Sequence, residues 1–490
     1  MGAAFNAPRA AFWRTVFLSV VGATAVGAQQ PMSLQQAVEL AQRQGLQARA
    51  AVAQRDAARR RDRSFDARRL PQLALTSDLP IYNRAIIPVL QPDGSTLFRP
   101  QQQTNATLNL AMTQKLPFSG GDLFVSSKLA RLDVSGQQSL RNWSSTPFAV
   151  GIQQDIFRPN VFKWDGREQN LRADAAERTY LEAREDVAIL TTNAFFDLYT
   201  ARLGLASAAN NAAVNDTLYT LNKGRFEVGK IGENDLLQSE LALLRERTSL
   251  DEARLEYERS LASFRRTINV SPGTPIEIVV APEVPEVAGD TTVAVAQALK
   301  NRAQRIDLEL QDVQARRHIT EARLNNGVGA TLRASVGLNQ TSSDVNAVYR
   351  DLLQQQTFAL SLAMPIVNWG ARSADIQAAI ADQDRVASLS RATREQLQQD
   401  AHFSVLQLAL ARRQLALSAK ADTVAVKRFE VAYNRYVIGK INMDNLYVAQ
   451  NEKNAALQQY LQALRGYWLA YYRLRRTTLY DFEKGEAIHQ

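Results

Sequence analysis

Residues 371–438 contain neither glycine nor proline. At about 1.5 Å per residue, such a run makes a helix of roughly 100 Å, far beyond the ~11–12 residues of an average helix. A rod of that length cannot cover its own apolar stripe, so it needs partners along its whole length. Other stretches share the property. Residues 167–223 hold only Gly204 and no proline, 233–271 and 291–326 hold neither, and 440–484 hold only Gly466. All are rich in Ala, Leu, Gln, Arg and Glu, which are strong helix formers. Apolar residues recur at three and four, as in Val405, Leu408 and Leu415, in Val424, Val431 and Val437, and in Leu236, Leu243 and Leu250. The stripe is narrow, as in coiled-coil seams. The spacing predicts long helices packed side by side.

Between these rods the period changes from about 3.6 to two. Leu332, Ala334, Val336 and Leu338 alternate with Arg333, Ser335, Gly337 and Asn339. Phe358, Leu360, Leu362 and Met364 repeat the pattern, as do Leu108, Leu110 and Met112, and Phe148, Val150 and Ile152. Residues 72–78 and 122–132 are weaker cases. Alternation with one greasy face predicts strands. The pattern fits either a half-buried soluble sheet or a barrel wall with lipid outside and water inside.

The amino terminus has the pattern of an export signal. Arg9 and Arg14 precede an apolar run at 15–28, and Val26-Gly27-Ala28 places small residues at the −3 and −1 positions, so cleavage is expected after Ala28. The run is too short for the ~20 residues that span a bilayer. No later stretch is continuously apolar over that length, so any membrane crossing would be a closed barrel.

The chain also repeats itself. Arg225-Phe226-Glu227-Val228-Gly229-Lys230-Ile231 aligns with Arg435-Tyr436-Val437-Ile438-Gly439-Lys440-Ile441, and the same offset runs without a gap to Arg265-Arg266-Thr267 against Arg475-Arg476-Thr477. A repeat this long is a duplicated fold rather than a solenoid. The expected organisation is a signal at 1–28, a first unit at 29–270 with strands within 71–157, a connector at 271–290, and a second unit at 291–490 with strands within 329–365. The proline-rich connector is expected to be extended.

Composition excludes several chemistries. With no cysteine there is no disulfide scaffold and no thiolate nucleophile or ligand. His318, His402 and His489 are scattered. No Gly-rich loop with Lys-Ser/Thr occurs, and Gly327-Val328-Gly329 lacks the rest of a dinucleotide fingerprint. No enzyme, cofactor or metal site is therefore expected. The formal charge of +9 permits an acidic partner without naming one. Residues 49–69 carry eight arginines against three aspartates. They fit a solvated helix face or a contact with inner-leaflet phosphates. Arg265-Arg266 and Arg475-Arg476 fall at helix ends, where they complement the helix dipole.

The order of elements, the duplication, the two Gly-Lys turns, the start SLQQAVELAQRQGLQA at 33–48, and the passages QKLPFSGG at 114–121 and PIVNWG at 365–370 together resemble the TolC-like outer-membrane efflux family. The resemblance implies a mainly α fold with a β-barrel portion. Three copies share one transmembrane barrel, with four strands from each, and their helices form a long coiled-coil α-barrel across the periplasm. This sequence offers six candidate strands, the excess falling at 105–133. The implied function is a passive exit duct fed by an inner-membrane pump through a periplasmic adaptor. The implied adaptor-contact tips are Arg225, Gly229, Lys230, Arg435, Gly439 and Lys440. The implied periplasmic gate involves Asp235 and Tyr436, linked hydroxyl to carboxylate, with Asp444 and Asn445 nearby. The family's further gate arginine is Ile441 here, and its ring aspartates are Asn445 and Val448. A soluble periplasmic coiled-coil scaffold and a basic coiled-coil binder of nucleic acid or polysaccharide are the competing readings. The leading one includes outer-membrane lipid and no nucleic acid.

Overall fold

The computed structural model describes residues 31–135, 139–280, 284–287 and 289–489. The expected export signal at 1–28 lies outside them, as do parts of the connector. Helices α1 (Leu34–Gln44) and α2 (Leu46–Ala67) lead into strands β1 (Gln72–Leu90), β2 (Thr96–Lys115), β3 (Asp122–Ser135) and β4 (Leu140–Ile156). Helices α3 (Val161–Glu227) and α4 (Glu233–Thr267) follow. The second half runs α5 (Thr291–Asn301), α6 (Ala303–Asn325), β5 (Gly329–Ser342), β6 (Leu353–Ala363), α7 (Ala371–Val437) and α8 (Met443–Thr478), and ends on a small hairpin of β7 (Tyr480–Asp481) and β8 (Glu486–Ala487). The two series match in length. α3 and α7 each have 67 residues, and α4 and α8 have 35 and 36.

Local chemistry sets the boundaries. Ser33 and Gln36 form a reciprocal capping box at the start of α1. Asn160 caps α3 by accepting from the Lys163 amide at 2.9 Å, and Asn442 caps α8 by accepting from the Asn445 amide at 3.2 Å. Each such cap satisfies an amide the helix cannot. The long helices end at Gly229 and Gly439, with φ of 71° and 74°, a conformation that costs other residues about 1–2 kcal/mol. At both ends a Schellman pair closes the turn. Lys230 N donates to Arg225 O at 2.8 Å and Gly229 N to Phe226 O at 2.9 Å, with the same distances for Lys440 to Arg435 and Gly439 to Tyr436.

The main core sits midway along the rods. Phe195, Phe196 and Leu198 of α3 meet Leu261 and Phe264 of α4, Val405 and Leu408 of α7, and Tyr467, Trp468 and Tyr471 of α8. The short helices α1 and α5 bring small residues, Ala37, Ala41 and Ala294, against it. Phe195 and Phe264 pack edge to face at 5.9 Å. Ion pairs lock the same level. Arg475, read from sequence as complementing a helix end, inserts its half-buried guanidinium between Glu185, at 3.1 Å, and Asp481. It also stands in the last turn of α8, where the sequence reading placed it.

Away from that core the rods are only partly covered. Val405, Leu408 and Leu415 are buried as the stripe predicts, yet Val424 and Val431 further along α7 are exposed, as are Leu241, Leu244 and Leu255 of α4. The chain exposes 31311 Å², whereas a compact monomer of 54.5 kDa exposes about 18,000 Å². One copy leaves much of its apolar surface uncovered.

All six long strands form one antiparallel sheet in the order β1-β2-β3-β4-β5-β6. This departs from the four strands the resemblance implies. The additional pair is β2 and β3, inserted between β1 and β4, and it begins earlier than the 105–133 expected. The β2–β3 turn returns to the helix side of the sheet, where Asn160 Nδ2 donates to Pro117 O at 2.9 Å and Gln114 Nε2 to Arg69 O at 2.6 Å.

Candidate functional site

No cleft with convergent catalytic groups occurs among the described residues, and no cluster of three or more His, Asp or Glu there has metal-ligand spacing. Two other features carry functional geometry. They are the faces of the sheet and the tips of the helical hairpins.

Directly paired residues in a sheet share a face. On one face, Leu73 pairs with Met112 and Leu75 with Leu110. Met112 pairs with Val125 and Leu108 with Leu129. Val125 pairs with Val150, and Leu123 with Ile152. Val150 pairs with Val336 and Phe148 with Leu338, and Leu332 and Ala334 pair with Leu360 and Phe358. The result is an apolar band crossing every strand, and Leu73, Leu110, Phe148, Val336, Phe358 and Leu360 are exposed on it. The opposite face is mainly polar. It carries Thr76 and Asn109, Ser126 and Lys128, Gln153 and Arg333, and Ser335 and Thr357. Above the band, on its own face, polar groups return. Arg131 lies 2.7 Å from Asp133 and stacks over Trp143 at 5.4 Å. Below it, at the passages into helices, Phe118, Phe157, Ile366 and Trp369 are exposed, Trp369 at 96%. An apolar band flanked by aromatic and polar rims is the pattern that a lipid-facing sheet surface requires. No described helix is long and apolar enough to cross a membrane.

At the other end of the rods, the two hairpin tips meet. Tyr436, Met443 and Leu446 close with Leu218 into a small second core. Buried inside it, the Tyr436 hydroxyl donates to Asn222 Oδ1 at 2.9 Å. Within one chain the partner is therefore Asn222 on the adjacent helix rather than the expected Asp235. The physical reason is that Asn222 is fully buried, and its amide oxygen needs a donor there. Asp235 is half-buried in the first turn of α4, where a carboxylate favours the helix amino end. Asp444 is exposed in the equivalent turn of α8 and accepts from Gln238 Nε2 at 3.0 Å. Asn445 is exposed, and the cap from Asn442 holds its amide. Arg225 donates to Val437 O at 3.1 Å and lies 5.4 Å over the Tyr436 ring. With Asn222 Nδ2 donating to Met443 Sδ at 3.4 Å, these polar links tie the tips together, and they use two residues the sequence reading missed, Asn222 and Gln238. The only sequence signal for Asn222 was its position one helical turn after Leu218 on the buried stripe.

Lys230, Arg435 and Lys440 are exposed at the tips, and a Cβ on Gly229 or Gly439 would meet open space. Phe226, Val228, Val437 and Ile438 are exposed beside them. The tips therefore offer an apolar and basic surface. One turn further in, Gln450 Nε2 donates to Glu246 Oε1 at 3.2 Å. Burial pushes the Glu246 carboxyl above its usual range against the pull of Lys453, and burial pushes the Lys453 ammonium down.

Several solved structures share this arrangement. The Campylobacter jejuni CmeC outer membrane channel superposes with a TM-score of 0.66 at 15% identity, covering 93% of this chain and 87% of that one. The outer membrane protein VceC from Vibrio cholerae gives 0.65 at 13%, covering 93% and 97%. The open-state MtrE outer membrane channel of Neisseria gonorrhoeae gives 0.61 at 14%, covering 91% and 88%. The chain has the fold of the TolC-like outer-membrane efflux channels. In sequence, it is 25% identical to protein CyaE of Bordetella pertussis over 258 residues. The match takes in 49% of the chain, which spans about half the length of that curated relative, 54%. No family model matches the chain.

Proposed function

We propose that this chain is one protomer of a homotrimeric outer-membrane channel-tunnel. It is a passive, water-filled exit duct for substrates that an inner-membrane transporter delivers through a periplasmic adaptor. The observation that carries the reading is the two-faced sheet, apolar on one side and mainly polar on the other, joined directly to rods of about 100 Å. The rods are bare along stripes that neighbouring copies would cover. A soluble scaffold has no use for the apolar band.

The tips are the adaptor contact, with Gly229 and Gly439 setting the turns and Arg225, Lys230, Arg435 and Lys440 supplying charge. The gate is the tie between the two hairpins, in which Tyr436, Asp444 and Asn222 hold the entrance closed and Asp235 and Asn445 line its rim. Nothing in the duct is catalytic, and the energy for transport comes from the pump. Fractionation and imaging test the reading. The protein is expected to remain in outer-membrane fractions until detergent is added, and to appear as a threefold hollow cylinder longer than it is wide. Extraction in buffer alone as a compact single chain refutes it.

A further inference from the structure

The fold family implies four wall strands from each copy, whereas this chain lays down six in one sheet. We propose that all six are wall strands, and that β1 of one copy pairs antiparallel with β6 of the next, so that three copies close an eighteen-stranded barrel. The proposal rests on the trimeric channel read above and fixes its seam and bore.

The inserted pair carries the same two faces as its neighbours. Leu108, Leu110 and Met112 of β2 continue the apolar band between Leu73 and Leu75 of β1 and Val125 of β3. Thr107, Asn109 and Lys128 continue the polar face. A hairpin standing outside the wall, or plugging its lumen, would not keep this alternation in register with strands on both sides.

The outermost strands are open edges of 19 and 11 residues. Unpaired backbone groups facing hydrocarbon cost several kcal/mol each, so both edges need partners. Every neighbouring pair is antiparallel. With six strands per copy, β1 runs away from the helices and β6 runs back toward them. The β6 edge of one copy and the β1 edge of the next therefore meet antiparallel, as closure requires.

The stagger also fits. A row of directly paired residues runs from Leu73 through Met112, Val125, Val150 and Val336 to Gln356. Leu73 stands one residue from the start of β1 at Gln72, and Gln356 stands seven from the end of β6 at Ala363. The row climbs six residues while crossing six strands. With ~3.3 Å per residue and ~4.8 Å between strands, that slope is a strand tilt of roughly 35°, within the range of closed membrane barrels. Aligning the helix-side ends, Gln72 with Ala363, then sets Leu73 opposite Leu362 and Leu75 opposite Leu360. All four belong to the apolar face, so the seam preserves both faces. Because barrel diameter grows about linearly with strand number, this bore is roughly 1.5 times that of a twelve-stranded barrel.

The chain has no cysteine, so introduced thiols report without background. The double variant Leu75→Cys with Leu360→Cys, treated in outer membranes with a short bismaleimide, should shift to a band of three chain masses, and neither single variant should pass two. Directly opposite side chains stand ~4.5–5.5 Å apart, within such a linker's reach. Val125→Cys with Leu360→Cys, the pair that the same end alignment sets opposite if β3 were the edge strand, should stay monomeric. If that pair joins and the first does not, β1 and β2 lie outside the wall and the proposal falls, while the channel reading stands. Images of the unsubstituted protein provide an arm free of folding effects. Eighteen wall strands support the proposal, a ring of twelve overturns it, and lone particles overturn the channel reading along with it.

Discussion

Tyr436 and Asn222 show how one buried polar pair can hold two helical hairpins together. Tyr436→Phe keeps the ring under Arg225 but strips Asn222 Oδ1 of its donor. An orphaned buried acceptor costs about 1–3 kcal/mol, so single-channel conductance in planar bilayers should rise as the tips part more often. Unchanged conductance would assign the pair to packing alone. A second residue governs the acid side. The Glu168 carboxyl is pushed up by burial, yet hydrogen bonds from Arg317 and Gln314 draw it below its usual value of 4.5. A lowered carboxyl contributes stability that is present above the unfolded value and is lost as pH falls through the folded one. Thermal stability should therefore drop as pH falls below about 4.5, and Glu168→Gln should flatten that decline while lowering stability at pH 7. An equally steep decline in the variant would count against Glu168.

At the scale of elements, the glycine turns and the strands behave differently as sequence signals. Gly229 and Gly439 are bounded by long glycine-free runs, and their positive φ and Schellman bonds follow from local chemistry. Gly439→Ala meets no steric obstacle, so its cost should be the backbone term alone, about 1–2 kcal/mol. Gly439→Asn should cost less, because Asn tolerates the left-handed region better. Melting curves of both variants test this, and equal losses would point to a contact at the tip. The same local logic made β4, β5 and β6 legible as period-two runs. β1 was faint because Pro80 and Pro88, with a bulge between Asp78 and Ile81, interrupt its alternation. The upper half of β2 was lost in Gln101, Gln102 and Gln103, whose polarity gives no face. Partners were the least legible of all. Asn222 and Gln238 find theirs on helices more than 200 residues away, and no local pattern encodes such a meeting.

At the scale of the whole molecule, one copy is an incomplete object. Its exposed stripes on α4 and α7 and its excess surface over a compact chain make stability, in the proposed trimer, a property of the assembly. Melting temperature should rise with protein concentration in detergent, as mass action requires for a folded state held by its copies. A concentration-independent transition would mean that the rods hold without neighbours. The two open edges add a constraint in time. Until closure, each chain carries 19 and 11 residues of strand edge ready to zip onto any extended peptide. A newly exported copy that lingers alone is a seed for fibrous waste. For the proposed trimer, the cell must therefore either escort each copy or bring three together almost at once, and how quickly copies find each other limits how many can safely be made.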